Sequence, residues 1–263
     1  MTFSTLENIS AMNNRSKASA RLDFSKLVLG LTGILLTSSV AIAAAASSAQ
    51  ASPFSPAITL TKQARRGQVP GRRRGGARRG TCPESSTQLT ALAPETEVAT
   101  QTLPEIYVGG TTAAEYPTLW FSIPYALTDD LPAEFILQND QGQDIYRVAS
   151  TDFPVSERTP GVIGVSLPAE APLEVGQTYQ WYFKLNCSSE APLYVQGGIE
   201  RIALSPGLAS QLASASPSEQ AALYQQNDLW YDAVTVLAQQ RRSSPNNPAV
   251  ESAWTSLLQT VGL

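Results

Sequence analysis

Between Tyr179 and Cys187 the chain alternates strictly. Tyr179, Trp181, Phe183, Leu185 and Cys187 share one parity, and Gln180, Tyr182, Lys184 and Asn186 share the other. That period predicts a strand with one buried face. Shorter runs of the same kind lie at 89–92, 119–125, 133–139, 144–149, 162–167 and 193–204. A further segment at 100–108 reads as a short edge strand weakened by Pro104. The sequence Asp140-Gln141-Gly142-Gln143 predicts a hairpin turn between two of the runs. Gly197-Gly198 predicts a bulge or bend in the last one. About seven short strands with frequent turns and no helical interludes favour an antiparallel β-sandwich over an α/β sheet.

Leu173-x-x-Gly176-x-x-Tyr179 sharpens that expectation. It resembles the tyrosine corner of immunoglobulin and fibronectin-type sandwiches, in which a Tyr hydroxyl bonds backbone a few residues upstream. Trp181 and Phe183 then belong to the core between the sheets. Past Pro206 the period becomes helical. Ser216-Pro217-Ser218-Glu219 is a capping box with Pro at the first helical position, and Asn227-Asp228 breaks the helix it starts. A second helix is expected over 229–242 and a third after Asn247-Pro248, with a shorter one at 207–215. Ala222, Leu223, Tyr224, Trp230, Ala233 and Leu237 weakly resemble a tetratricopeptide hairpin. A single hairpin cannot build the array that such repeats use for binding. The expected fold is therefore mainly β: a sandwich over 87–205, then a helical cap of two to four helices over 206–263, packed on the sandwich.

The first 86 residues read differently. Arg15, Lys17, Arg21 and Lys26 precede an apolar run at 27–46 that ends in small-residue sites, Ala44-Ala45-Ala46 and Ala49-Gln50-Ala51. This is the pattern of a secretory signal peptide over 1–51, cleaved near Ala51. A single transmembrane anchor is the competing reading. Residues 52–86 carry an Arg/Gly-rich stretch that buries too little apolar surface to offset its ordering entropy, and a disordered basic linker is expected. Eight basic and no acidic residues lie between Ser52 and Arg79, whereas 20 acidic and 6 basic residues follow. A cationic arm thus precedes an acidic body. Arg72, Arg73, Arg74, Arg78 and Arg79 are candidate contacts to an anionic surface. An exported chain offers the arm no nucleic acid.

The chain has two cysteines and no histidine. In an exported protein Cys82 and Cys187 are expected to form a disulfide. Without histidine, Ser-His-Asp, Cys-His and His-ligated metal sites are excluded, and no cofactor is implied. Asn139, Asp140 and Asp144 crowd the hairpin tip, but no downstream Glu completes a calcium loop. Carboxylate chemistry of the glycosidase kind needs only two acids. Asp129, Asp130, Glu134 and Glu200 with Arg201 are the residues that chemistry would draw on. Their spacing does not distinguish a catalytic pair from a solvated surface.

Taken together, several segments resemble one family. They are Pro70-Gly71-Arg72-Arg73-Arg74-Gly75-Gly76, Leu89-Thr90-Ala91-Leu92-Ala93-Pro94-Glu95, Glu115-Tyr116-Pro117-Thr118-Leu119-Trp120-Phe121, the 173–183 stretch, Gly198-Ile199-Glu200-Arg201, Leu229-Trp230-Tyr231-Asp232-Ala233 and the terminal Val261-Gly262-Leu263. This set is similar to the cyanobacterial DUF928 family. The resemblance implies an exported protein of a family defined by sequence, and carries over no catalytic or binding residue. The functional expectation is a non-enzymatic module of the periplasm or cell exterior, recognising an envelope protein or polymer. The alternative is a carbohydrate-binding or carbohydrate-cleaving sandwich, with Trp120, Tyr182 or Tyr194 as stacking platforms.

Overall fold

The computed structural model describes residues 66–75, 82–100, 102–187 and 191–263, all within the compact unit Pro56–Leu263. The expected signal peptide, Arg78 and Arg79 lie outside the described residues. The strands are β1 (Gln68–Pro70), β2 (Thr90–Ala91), β3 (Glu95–Val98), β4 (Glu105–Thr112), β5 (Thr118–Ile123), β6 (Ala133–Gln138), β7 (Asp144–Ala149), β8 (Gly161–Ser166), β9 (Thr178–Leu185) and β10 (Leu193–Arg201). Four helices follow: α1 (Pro206–Ser214), α2 (Pro217–Gln226), α3 (Trp230–Ser243) and α4 (Pro248–Gln259).

The strands form two sheets. The larger has the order β1-β4-β10-β9-β6-β7, with β3 also paired to β4, and the smaller is β2-β5-β8. All pairings are antiparallel except β10 with β4, which is parallel. The sheets meet through aromatic rings. Phe121 of β5 stacks on Phe183 of β9 at 4.5 Å and meets the edge of Trp181 at 5.6 Å. The apolar parity of β9 is buried throughout, as the alternation requires. Tyr179 is the second residue of that strand, and its hydroxyl accepts a 3.0 Å hydrogen bond from the Glu174 backbone N–H. Cys187, just past its end, is bonded to Cys82 with Cα atoms 4.8 Å apart.

The helices are tied to both sheets by α3, which lies against β4 of one and β5 of the other. Tyr231 enters the core, where its hydroxyl donates to the Gly198 carbonyl at 2.8 Å and accepts from Trp181 Nε1 at 3.0 Å. Burial pushes that phenol's pKa up, so it stays a neutral donor. Trp230 Nε1 donates to the Leu92 carbonyl, and Trp120 Nε1 to Thr235 Oγ1. The helix starts follow the expected caps: Ser216 and Glu219 form the complete capping box, and Asn247 Oδ1 accepts from Ala249 and Val250 N–H.

Three expectations need correction. The 100–108 segment is not an edge: β4 begins after Pro104 and has neighbours on both sides. Gly197-Gly198 carries no bulge, since β10 keeps one register with β9 across both residues. The glycines serve close approach instead, because a Cβ on Gly197 would stand 2.9 Å from Val108 Cγ1 and one on Gly198 2.9 Å from Val69 Cγ1. Finally, 66–75 is not a disordered linker. It contains β1 and docks along its whole length.

Candidate functional site

The first described residue of the docked arm is Arg66, whose guanidinium reaches Glu200 through two hydrogen bonds, while Glu200 also accepts from Gly67 N–H at 3.1 Å. β1 then pairs with the N-terminal half of β4, which diverges from β10. Further on, Arg72 exchanges both backbone bonds with Gln196 of β10 at 2.9 Å. Arg73 C=O accepts from Ala91 N–H and Gly75 N–H donates to Leu89 C=O, each at 2.8 Å, so the chain finishes on β2 in the other sheet. The segment is a strap that fills the gap between β4 and β10 and ties the two sheets together. Glycine permits this at its first turn. Gly67 has φ +68°, and a Cβ there would overlap the Gly110 carbonyl and lie 2.9 Å from Glu200 N.

The arginines expected to meet an anionic surface are placed one by one. Arg73 is buried at 6% exposure, bonds the Val261 carbonyl and pairs with Glu95 at 3.4 Å. Burial pulls its pKa down, Glu95 opposing. Arg74 is exposed and reaches the Gly262 carbonyl at 3.3 Å, and Arg72 stacks over Tyr194 at 4.8 Å. Two of these cations therefore cap the carbonyls just past α4, where the helix dipole favours positive charge. Arg73 is enclosed by the fold and meets no surface.

Beside the strap lies a cleft of about 350 Å³. Its walls come from the strap (Arg66, Gln68), from β4 (Gly109, Gly110, Thr111), from the α2–α3 turn (Gln225, Asn227, Asp228, Trp230) and from the chain after α4 (Thr260, Val261). The turn is built by Asn227, whose Nδ2 donates back to the Leu223 carbonyl, and by Asp228 in the left-handed region at φ 59°. Thr111 Oγ1 pins it by donating to the Asp228 carbonyl at 2.6 Å. In the first turn of α3, Asp232 Oδ2 accepts from Ala113 N–H at 3.0 Å. Burial pushes the Asp232 carboxyl pKa up, although bonds from Ala113 N–H and the Thr112 hydroxyl oppose the shift. Gln68 Oε1 is a buried acceptor with no partner among the described residues, on the cleft wall.

The structure does not bring the sequence-derived acids together as a catalytic pair. Asp129 and Asp130 are exposed on a turn, and Glu134 is held by Arg147 and Lys184. Glu200 is held by Arg66, and Arg201 bonds Glu115 and the Leu173 carbonyl. At the hairpin tip Asn139 Oδ1 is occupied by Gln141 and Gln143 N–H. Trp120 is 3% exposed with Arg242 over its ring at 4.7 Å, which removes it as a stacking platform. Lys184 lies over Tyr182 at 5.7 Å, as Arg72 lies over Tyr194. Sequence reasoning missed the cleft residues Gln68 and Asp228. Asp228 was visible only as a helix break, and Gln68 lay inside a stretch read as linker.

Residues 74–263 match the family described as Domain of Unknown Function (DUF928). The chain belongs to the DUF928 family. A search of curated proteins finds no match. Within the DUF928 region lie both cysteines, the two sheets apart from β1, all four helices and most of the cleft wall. The strap from Arg66 to Arg73 precedes the matched residues yet completes their larger sheet and the cleft.

Proposed function

We propose that this chain is an exported, non-catalytic binding module of the periplasm or cell exterior, of the cyanobacterial type that its family resemblance implies. Its scaffold is an immunoglobulin/fibronectin-like β-sandwich. The observation that carries the export reading is the Cys82–Cys187 disulfide, a bond that persists in oxidising compartments and is rare in reducing ones. The signal-peptide pattern over 1–51 points the same way. Support for the scaffold comes from the strand order, from the parallel β4–β10 pair and from the Tyr179 hydroxyl on Glu174 N–H, a tyrosine-corner bond. The α2–α3 pair supplies one tetratricopeptide-like hairpin and no array, so it acts as a cap.

Binding is favoured over catalysis by the fate of the acids. Glu134, Glu157 and Glu200 are each tied to an arginine, which leaves them as framework charges. The partner is an envelope protein or polymer engaged at the cleft beside the strap, with the exposed Arg72 and Arg74 and the Arg78-Arg79 pair adding contact to anionic material.

Expression of the full chain with its own leader in a Gram-negative host tests the proposal. The expected product is extracytoplasmic, begins near Ser52, and shows Cys82 linked to Cys187 in non-reducing peptide mapping. A cytoplasmic product with an uncut leader and free thiols would overturn the export reading. Cross-linking in envelope preparations tests the binding reading: a partner should be captured by the wild type and lost with Asn227→Trp, which crowds the cleft rim. Equal capture by both removes the cleft from the interaction.

A further inference from the structure

We infer that the cleft beside the strap is a site for a neutral polyhydroxylated ligand, of mono- to disaccharide size. The inference rests on the binding-module reading and names the chemistry of its ligand. Size is the first argument: about 350 Å³ falls at the lower end of the range for small-molecule sites, roughly 300–1,000 Å³.

The second argument is the wall chemistry. Gln68, Gln225 and Asn227 are amides that bring donors and acceptors to the wall, Asn227 keeping one N–H on the Leu223 carbonyl, and Asp228 adds an exposed carboxylate. A sugar hydroxyl also donates and accepts at once, so amides and a carboxylate match it without a net charge on the ligand. Trp230 and Val261 add apolar wall for the C–H face of a ring. Arg66, the cation at the rim, is already committed to Glu200 through Nε and Nη2, which argues against an anionic ligand.

The third argument is Gln68 itself. Its strand is fixed in register, Gln68 opposite Gly109, and its Oε1 is buried without a partner among the described residues. A buried acceptor left unpaired costs about 1–3 kcal/mol. Oε1 is closed to solvent as it stands, but the Gln68 side chain lines the cleft, so a ligand hydroxyl that draws the terminal amide round gives Oε1 the partner it lacks, and the residue favours a donor-bearing ligand. The strap is therefore part of the site: it carries this amide to the cleft wall.

Saturation-transfer NMR and calorimetry on the leader-processed full-length product test this, with maltose and chitobiose as saccharide probes and cadaverine as an amine control. The expected result is saccharide binding with a Kd on the order of 1 mM. Gln68→Leu, which removes the acceptor and keeps the side-chain length, should weaken it at least about tenfold. Trypsin protection at Arg73 and Arg74 should stay unchanged in that variant, which shows that the strap is still docked. Asn227→Trp should abolish binding by occupying the rim. Three outcomes overturn the inference: no saccharide signal with the wild type, Gln68→Leu binding like the wild type, or cadaverine bound in the cleft in place of both sugars. The binding-module reading fails separately, by cytoplasmic retention or by partner capture that ignores the cleft.

Discussion

Gly67→Ala tests whether the arginine-rich segment is a strap or a tether. Alanine at φ +68° costs about 1–2 kcal/mol in the left-handed region. Its Cβ would also overlap the Gly110 carbonyl and crowd Glu200 N, so the strap's first turn must lift. Lifting it weakens the Gly67 N–H bond to Glu200, itself charge-assisted, and the combined penalty is about 2–3 kcal/mol. The assay is limited trypsinolysis read by mass spectrometry, scoring cleavage after Arg72, Arg73 and Arg74. Those bonds lie in backbone hydrogen-bonded to Gln196, Ala91 and Leu89, so cleavage requires local opening. When opening is fast relative to cutting, the rate tracks the open population, and 2–3 kcal/mol raises it roughly 30- to 150-fold. Gly142→Ala is the control. Gly142 has a similar φ, +75°, in the β6–β7 turn with nothing within 4 Å of the added carbon. It should lower global stability by about 1 kcal/mol and leave strap cleavage near the wild-type rate. Wild-type cleavage at Arg73 as fast as in an unfolded peptide would refute the docking, and so would Gly67→Ala behaving like Gly142→Ala.

Replacing both cysteines by serine removes a cross-link between residues 105 apart, which the chain-entropy relation sets at up to about 4.7 kcal/mol; urea unfolding that differs from the wild type by less than about 1 kcal/mol would show that the bond constrains little. Tyr179→Phe strips the Glu174 N–H of its acceptor and should cost about 1–2 kcal/mol in the same assay. An unchanged midpoint would mean that water replaces the hydroxyl fully. Asp232→Asn should change how stability varies with pH. The folded-state pKa of Asp232 is raised above its ordinary value of 3.8, so its contribution is fully present below that value and is lost as pH rises through the folded one. The wild type should therefore lose stability relative to Asp232→Asn as pH increases from about 4, and a difference independent of pH would contradict the burial-driven shift.

Much of the β architecture was legible because one-sided burial forces a period of two. β9 is the clearest case: every member of its apolar parity is buried, and the predicted tyrosine bond and disulfide lie at its two ends. The helical starts were equally legible, since caps are local chemistry that needs no tertiary partner, as at Ser216 and Asn247. β4 was half hidden. Its Gly109-Gly110 step lowers strand propensity, and the reason for glycine there is tertiary: a Cβ on Gly110 would stand 3.2 Å from Trp230 Cβ. The gap between β10 and the N-terminal half of β4 that admits the strap is likewise a property of three segments distant in sequence.

The strap shows why composition misled. Entropy arguments judge a segment by the apolar surface it can bury alone, and Gly67–Gly75 contributes only Val69 as a larger aliphatic. Here the chain is offered a slot whose backbone partners are already in place: Gly109, Val108 and Tyr107 for β1, Gln196 for Arg72, Leu89 and Ala91 for its end. Glycine is then an advantage, because the slot admits no Cβ at Gly67 or Gly71, where the Gln196 carbonyl stands within 2.6 Å. Arginine is an advantage too, since Arg73 and Arg74 donate to the Val261 and Gly262 carbonyls just past α4. The residues that make the segment a poor fold on its own are the ones that make it fit. The same logic locates the candidate site: strap, β4, α2–α3 turn and C-terminal residues converge on one cleft, so the segment that closes the fold also supplies the acceptor on which the inferred recognition depends.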